Sequence, residues 1–409
     1  MEEGIRSESA AAQAGGAVPI PAAAFGTSDT VTEMGVWTSP QWMMGGAIAV
    51  LAAGSFQSKR RRRHDQRLRA LEKERKIAIK ELKKGLDLAA DDFSCRNAFF
   101  LAHLSGMVYF DKDQCEGHFH DLGIEEFYWF SAPQDIRISL VGEFSEIANA
   151  QAAIGATPEY IAIVFRGTQE GADWITNLKF FHKDFPKLGR VHKGFNDALE
   201  TVWIGEGMRD KLHEMSAANP RPIFVCGHSL GAALATIAVA KIAVEEDLPL
   251  TALYTMGSPR VFDTEGAHKF DKWVNRGKAL GSKCFRGVNN NDIVTGVPPE
   301  LFKIEGVAYK HVGKEIYINT SGAMGSGDLL DGLKGQCGAC LRGATLGFVD
   351  DHSVGQYAAA FRRGARKAAH DLVNGMQMED EAAALFSSTS HSAEVSVTVS
   401  ETVASAVAS

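Results

Sequence analysis

Gly227, His228, Ser229, Leu230 and Gly231 form a G-x-S-x-G pentapeptide set directly after the apolar run Ile223 to Cys226 and directly before Ala232 to Ala235. An apolar run of strand length followed by a tight glycine turn and an Ala-rich helical stretch constrains this chain more than any other segment. The two glycines let strand and helix approach closely around one strained residue. Ser229 Oγ then stands exposed at a helix N-terminus, whose dipole favours developing negative charge. Only an α/β architecture provides such a strand-turn-helix step, and the flanking pattern agrees with it. Strands are expected at Ile161 to Phe165, Ile223 to Cys226, Leu253 to Met256, Lys283 to Val288 and Glu315 to Ile318, with helices at about 93–109, 191–216, 230–245, 265–276 and 354–362. Strand and helix alternate along the chain, so a mainly parallel central sheet with helices on both faces is expected, preceded by an N-terminal helical extension.

A serine hydroxyl is a weak nucleophile at neutral pH and needs a base that is itself oriented by a carboxylate. Asp292 follows the strand Cys284 to Val288 through Asn289, Asn290 and Asn291, where a strand's C-terminal end opens to an active face. His352 lies in Asp350-Asp351-His352-Ser353, just before a helical stretch, and His311, between Tyr309 and the strand at Glu315 to Ile318, competes with it for the base role. The order Ser229, Asp292, His352 is the order found in α/β hydrolases. An oxyanion takes the backbone N–H after the nucleophile, here Leu230, and a donor from an earlier strand end. Thr168, after Phe165-Arg166-Gly167, offers both a backbone N–H and a hydroxyl. His228 is expected to pack or hydrogen-bond beneath the turn.

Phe165 to Thr168 with Asp173 and Trp174, Val191 to Phe195, Gly227 to Gly231, Gly257 to Arg260, Asn291 to Val294, and Asp351-His352 occur in one order. That succession, over roughly residues 90–365, closely resembles the class 3 lipases, the fungal-lipase-like branch of the α/β hydrolases. The resemblance implies a serine carboxylester hydrolase with Ser229 as nucleophile, Asp292 as orienting acid, His352 as base and Thr168 with Leu230 around the oxyanion. It implies no cofactor and no metal. A lid over about 169–181, with Trp174 facing the acyl site, is implied as well. Tri- or diacylglycerol is the expected substrate. A phospholipase or galactolipase of the same mechanism is the alternative, and a lipase-like binding module without catalysis is the rival from another class.

The 409 residues carry a formal net charge of −7, but residues 59–85 alone hold 13 Lys or Arg against 4 Asp or Glu. Basic charge so confined argues against a nucleic-acid binder, which would spread it over the folded domain. Residues 1–33 are Ala-, Gly- and Ser-rich and acidic, and are expected to be disordered. Residues 34–58 are uncharged and centred on Trp42, Met43, Met44, Ile48 and Leu51. They are a candidate membrane-spanning or membrane-associated segment, diluted by Pro40 and glycines. Lys59 and Arg60 to Arg63 follow, so the positive-inside rule sets the catalytic domain on the cytoplasmic side.

Residues 59–89 read as a basic linker helix, 90–370 as the hydrolase domain and 371–409 as a disordered tail. On this division, a chain starting near residue 86 is expected to be soluble and active. The N-terminus, the basic block and a Gly-rich insertion at 321–347 depart from secreted members of the family, which points to an intracellular membrane or lipid-droplet substrate. Six cysteines in so long a chain do not read as a disulfide scaffold. Cys337 and Cys340 make one C-x-x-C without the second pair a zinc site needs, and read as loop thiols.

Overall fold

The computed structural model describes residues 66, 69–70, 72–132, 138–140, 143–145, 150–168, 181–290, 292–298, 308–319, 321–325 and 351–371. The chain divides into two units, Met1–Lys73 and Glu74–Ser409. In the first, the few described residues are helical. The expectations for residues 1–58, the lid with Trp174, the part of the Gly-rich insertion from residue 326 on, with Cys337 and Cys340, and the tail beyond 371 lie outside the described residues; the insertion's first residues form a short strand, Met324–Gly325, rather than loop throughout. Among the described residues no helix is long and apolar enough to cross a membrane.

The second unit is built on an eight-stranded sheet. Its strands are β1 (Glu126–Ser131), β2 (Gln151–Ala156), β3 (Ile161–Phe165), β4 (Ile223–His228), β5 (Leu250–Met256), β6 (Cys284–Asn289), β7 (Lys314–Ile318) and β8 (Met324–Gly325). They lie side by side in chain order. β3 to β7 are parallel, and antiparallel β1, β2 and β8 extend the edges. All five expected strands are present. β1 and β2 were not expected; in β2 the cause is that Ala152, Ala153 and Gly155 are weak strand formers. Gly155 belongs there for a packing reason: a Cβ on it would lie 2.6 Å from Phe119 Cδ1.

Parallel neighbours joined by right-handed crossovers put every crossover helix on one face of the sheet. α4 (Lys193–Glu200), α5 (Met208–Ala218), α6 (Leu230–Ala240) and α7 (Thr264–Lys272) share one core with Ile161, Ile163, Phe165, Ile223 and Val225. The opposite face must then be covered from the ends of the unit. α1 (residues 74–82 in this unit), α2 (Cys95–Met107), α3 (Lys112–Asp121) and α8 (residues 354–371) do so, packing on Ala162, Val164, Phe224 and Cys226. Alternate residues of each strand therefore serve the two cores, which is why the central strands read as continuous apolar runs.

This arrangement moves the start of the folded unit. Leu82 and Leu86 are buried in the second core, and Arg362 and Arg366 of α8 bind Glu81 at 2.6 and 2.8 Å and Glu74 at 3.4 Å each. Residues 74–86 are thus part of the domain rather than a linker. The helix expected over 191–216 is also divided. Val191 and His192 end a strand, a π-turn at Thr201–Gly205 follows α4, and Gly207 at φ +74° restarts the chain as α5. α7 stops at Lys272, because Arg276 and Gly277, both at positive φ, turn a small hairpin of Val274–Asn275 against Lys278–Ala279.

Candidate active site

The C-terminal ends of β3, β4 and β6 meet at one edge of the sheet, and each is followed by a residue of interest. β4 ends at His228, and Ser229 adopts φ +60°, ψ −128° before α6 begins at Leu230. A non-glycine residue held in that region is strained, and the neighbouring backbone enforces it. Ser229 N donates to the Met256 carbonyl at 3.0 Å, and the Ser229 carbonyl accepts from Ala232 N at 3.0 Å. A side chain on Gly227 would run into Gly231, and one on Gly231 would run into the Phe165 carbonyl. Both glycines are therefore required by the crossing of helix over strands.

The structure brings Ser229, His352 and Asp292 together in a buried chain of hydrogen bonds. His352 Nε2 lies 2.7 Å from Ser229 Oγ, and His352 Nδ1 lies 2.9 Å from both Asp292 carboxylate oxygens. Since a carboxylate only accepts, Nδ1 carries the hydrogen and Nε2 faces the serine as acceptor. The Asp292 side chain is fully buried, yet its charge is well served. Oδ1 accepts from Val294 N at 3.0 Å and Oδ2 from the Tyr357 hydroxyl at 2.7 Å. Burial, and then the Asp292 charge, push the Tyr357 phenol well above its ordinary value, so it remains a donor. Gly257, at φ +59°, makes room for the pair: a Cβ there would stand 2.6 Å from Asp292 Oδ2 and 2.9 Å from His352.

His311 is elsewhere engaged. Its Nε2 donates to the Thr295 carbonyl at 2.8 Å, and the Thr295 hydroxyl donates to the Asp292 carbonyl at 2.8 Å, so it braces the loop that carries Asp292. Burial, followed by the charges of Arg286 and Arg260, holds it well below the ordinary histidine value. Leu230 opens α6, leaving its N–H at the helix N-terminus beside Ser229. Thr168 follows Gly167, where a Cβ would lie 3.2 Å from Ser229 Cβ. The Thr168 hydroxyl oxygen is buried and has no hydrogen-bond partner among the described residues. A buried hydroxyl of this kind is unfavourable unless it has a task.

Three participants carried no clear mark in the sequence. Tyr357 sits on α8, and its oxygen also accepts from Asn289 N at 3.0 Å. Asn289 Nδ2 donates to the Asp351 carbonyl at 2.8 Å, tethering the residue before His352. Tyr109 bonds His228 Nδ1 at 2.9 Å beneath the turn. The only available signal was their spacing: Tyr357 falls five positions after His352, and Asn289 three before Asp292.

Residues 162–302 match the sequence profile of the family described as Lipase (class 3). Over that segment the chain is similar to the class 3 lipases. It is 33% identical to the lipase of Rhizomucor miehei over 175 residues, 42% of this chain and 45% of that one. The identity is again 33% with the secreted mono- and diacylglycerol lipase 1 of Fusarium solani, covering 44% of this chain and 50% of that one. With the chloroplastic phospholipase A(1) DAD1 of Arabidopsis thaliana it is 30%, over 34% of this chain and 33% of that one. The chain thus spans half or less of the length of each of these relatives. The matched segment holds Thr168, Ser229, Leu230 and Asp292, while His352 and Tyr357 come from beyond it.

Proposed function

We propose that this chain is a class 3 lipase, a serine carboxylester hydrolase that cleaves acyl chains from glycerolipids through an acyl-enzyme. The observation that carries the reading is the buried chain Ser229 Oγ, His352 Nε2, His352 Nδ1, Asp292, with spacings of 2.7 and 2.9 Å. In it, Ser229 Oγ attacks the ester carbonyl carbon while His352 Nε2 takes its proton. The tetrahedral oxyanion is stabilised by the Leu230 N–H and by Thr168, through its N–H and its otherwise idle hydroxyl. His352 returns the proton to the leaving alcohol. It then activates water to release the fatty acid from Ser229. Asp292 keeps the imidazole in the Nδ1–H tautomer and stabilises the imidazolium that forms.

Acylglycerol is the first substrate class, in keeping with the name of the Fusarium relative. Phospholipid sn-1 ester is the second, favoured by the Arabidopsis relative. Residues 34–58 and the basic run after them support a membrane or droplet surface as the place of action, with the catalytic domain on the cytoplasmic side. Trp174 is proposed as part of a lid. A fluorophosphonate probe on the full chain, with Ser229→Ala as control, tests the mechanism. Labelling of wild type and not of the variant is expected, and equal labelling of both would refute it. A panel of tri- and diacylglycerols, phosphatidylcholine and galactolipid then ranks the head groups.

A further inference from the structure

His228 is buried beside the reacting groups, yet it makes no bond to Ser229 or to Asp292 among those described. Its Nε2 lies 2.5 Å from the backbone carbonyl oxygen of His352, and its ring faces that of His352 with centroids 4.6 Å apart. A carbonyl only accepts, so Nε2 holds a hydrogen. Burial, and then the neighbouring His352, press the His228 imidazole down to about 3, so at neutral pH it carries that one hydrogen only. Nδ1 is consequently a lone pair. The group 2.9 Å from it is the Tyr109 hydroxyl, which must donate. The Tyr109 oxygen in turn accepts the backbone N–H of Gly167.

Every hydrogen in this line has an assigned place, and all point one way: Gly167 N–H to Tyr109, Tyr109 O–H to His228, His228 Nε2–H to the His352 carbonyl. The line starts one residue before Thr168, on the oxyanion side, and ends on the backbone of the base. Gly167 is kept for it, since a side chain there would collide with the Tyr109 hydroxyl.

We propose that Tyr109 and His228 form a positioning relay, which fixes the backbone of His352 relative to the Gly167–Thr168 strand end and so sets the distance between base and oxyanion donors. The inference rests on the triad reading above and adds to it a function for the residue preceding the nucleophile. Packing alone makes a different prediction from a relay, because packing depends on ring volume and the relay on two hydrogens.

Tyr109→Phe removes one oxygen and keeps the ring. It should lower kcat on a short soluble ester by about tenfold with KM unchanged, in the range that small misplacements of reacting groups produce. His228→Gln places an N–H donor near the position of Nε2, and His228→Asn near that of Nδ1. The Asn variant should lose about 10²-fold in kcat, and Gln should recover most of that loss. The double variant Tyr109→Phe/His228→Asn should be no worse than His228→Asn alone, because one break interrupts the line.

Wild-type kcat in Tyr109→Phe, or equal losses in the Gln and Asn variants, would overturn the relay. Should His228→Asn fail to fold, Tyr109→Phe decides by itself. Ser229→Ala run alongside separates the two failures. Turnover surviving in that variant removes the triad reading, whereas its loss combined with silent relay variants removes the relay only.

Discussion

Ser229 is carried by one continuous stretch of backbone from Ile223 to Ala240, whereas His352 is held by side chains from other elements: His228 at the end of β4, Asn289 at the end of β6 and Asp292 in the loop that follows. The nucleophile's geometry is enforced by main-chain crossing, with glycines where any Cβ would collide. The base's geometry is enforced by a few hydrogen bonds between residues 60 to 124 positions apart. A backbone-built feature is all-or-none. One built from side chains can be loosened step by step, and so can be tuned.

The largest break removes the reacting atoms themselves. Ser229→Ala and His352→Ala should each cut esterase turnover by ~10⁶, since members of a serine triad act as a unit and little beyond oxyanion binding is left. His311→Ala should cost far less and act through the Asp292 loop. Rates on a short-chain nitrophenyl ester measure all three, and a ranking with His311 above His352 would exchange their roles.

A second break concerns the face that the terminal helices cover. Starting the chain at residue 87 deletes Leu82 and Leu86 from the second core, and a buried leucine is worth roughly 2 to 5 kcal/mol. That chain should melt on the order of 10 °C lower than one starting at residue 72, or fail to fold. Equal melting temperatures would make residues 74–86 an appendage after all. The ion pairs of Arg362 and Arg366 with Glu74 and Glu81 are half-exposed and contribute less.

Thr168→Val tests the oxyanion side, at the junction of the two regions. Loss of one oxyanion donor typically costs about 10² to 10³ in turnover. A smaller change, below about threefold, would leave the backbone N–H of Thr168 as its whole contribution.

These contrasts also explain what could be read in advance. The five central strands and the elbow are legible because each is encoded within a few consecutive residues: apolar runs buried on both faces, and glycines at fixed offsets. Asp292 and His352 are legible through chain order and loop-end position. Tyr357 is not, because a tyrosine on a helix bonds a carboxylate only once α8 is laid against β6. The membership of residues 74–86 is equally hidden. It follows from which face the crossovers leave bare, a property of the assembled sheet that a Lys- and Glu-rich helix does not announce. Gly207 and the Arg276–Gly277 turn were visible but gave way to helical periodicity on either side.

The smallest effect is spread across both regions and is read by pH. His228 lies next to the nucleophile, His311 braces the acid loop and His103 sits in α2. Burial is the first cause of a lowered value in all three, joined by His352 for His228, by Arg286 and Arg260 for His311, and by His118 for His103. His103 is pressed to about 4 and His228 to about 3. An unfolded chain takes up these protons near pH 6.5, while the folded chain refuses them until the pH is far lower. The unfolded state therefore binds more protons between those limits, so stability is fully present above about pH 6.5 and falls as the pH drops toward 4. The slope is about 1.4 kcal/mol per pH unit for each histidine. Urea unfolding at pH 7.5, 6 and 5 should show this decline, and a His311→Gln chain should show it with a shallower slope. If stability were flat from pH 7.5 to 5, these imidazoles would be taking up protons in the folded state. The one-way hydrogen placement from Tyr109 through His228 to His352 would then have to be abandoned, even with the serine elbow intact.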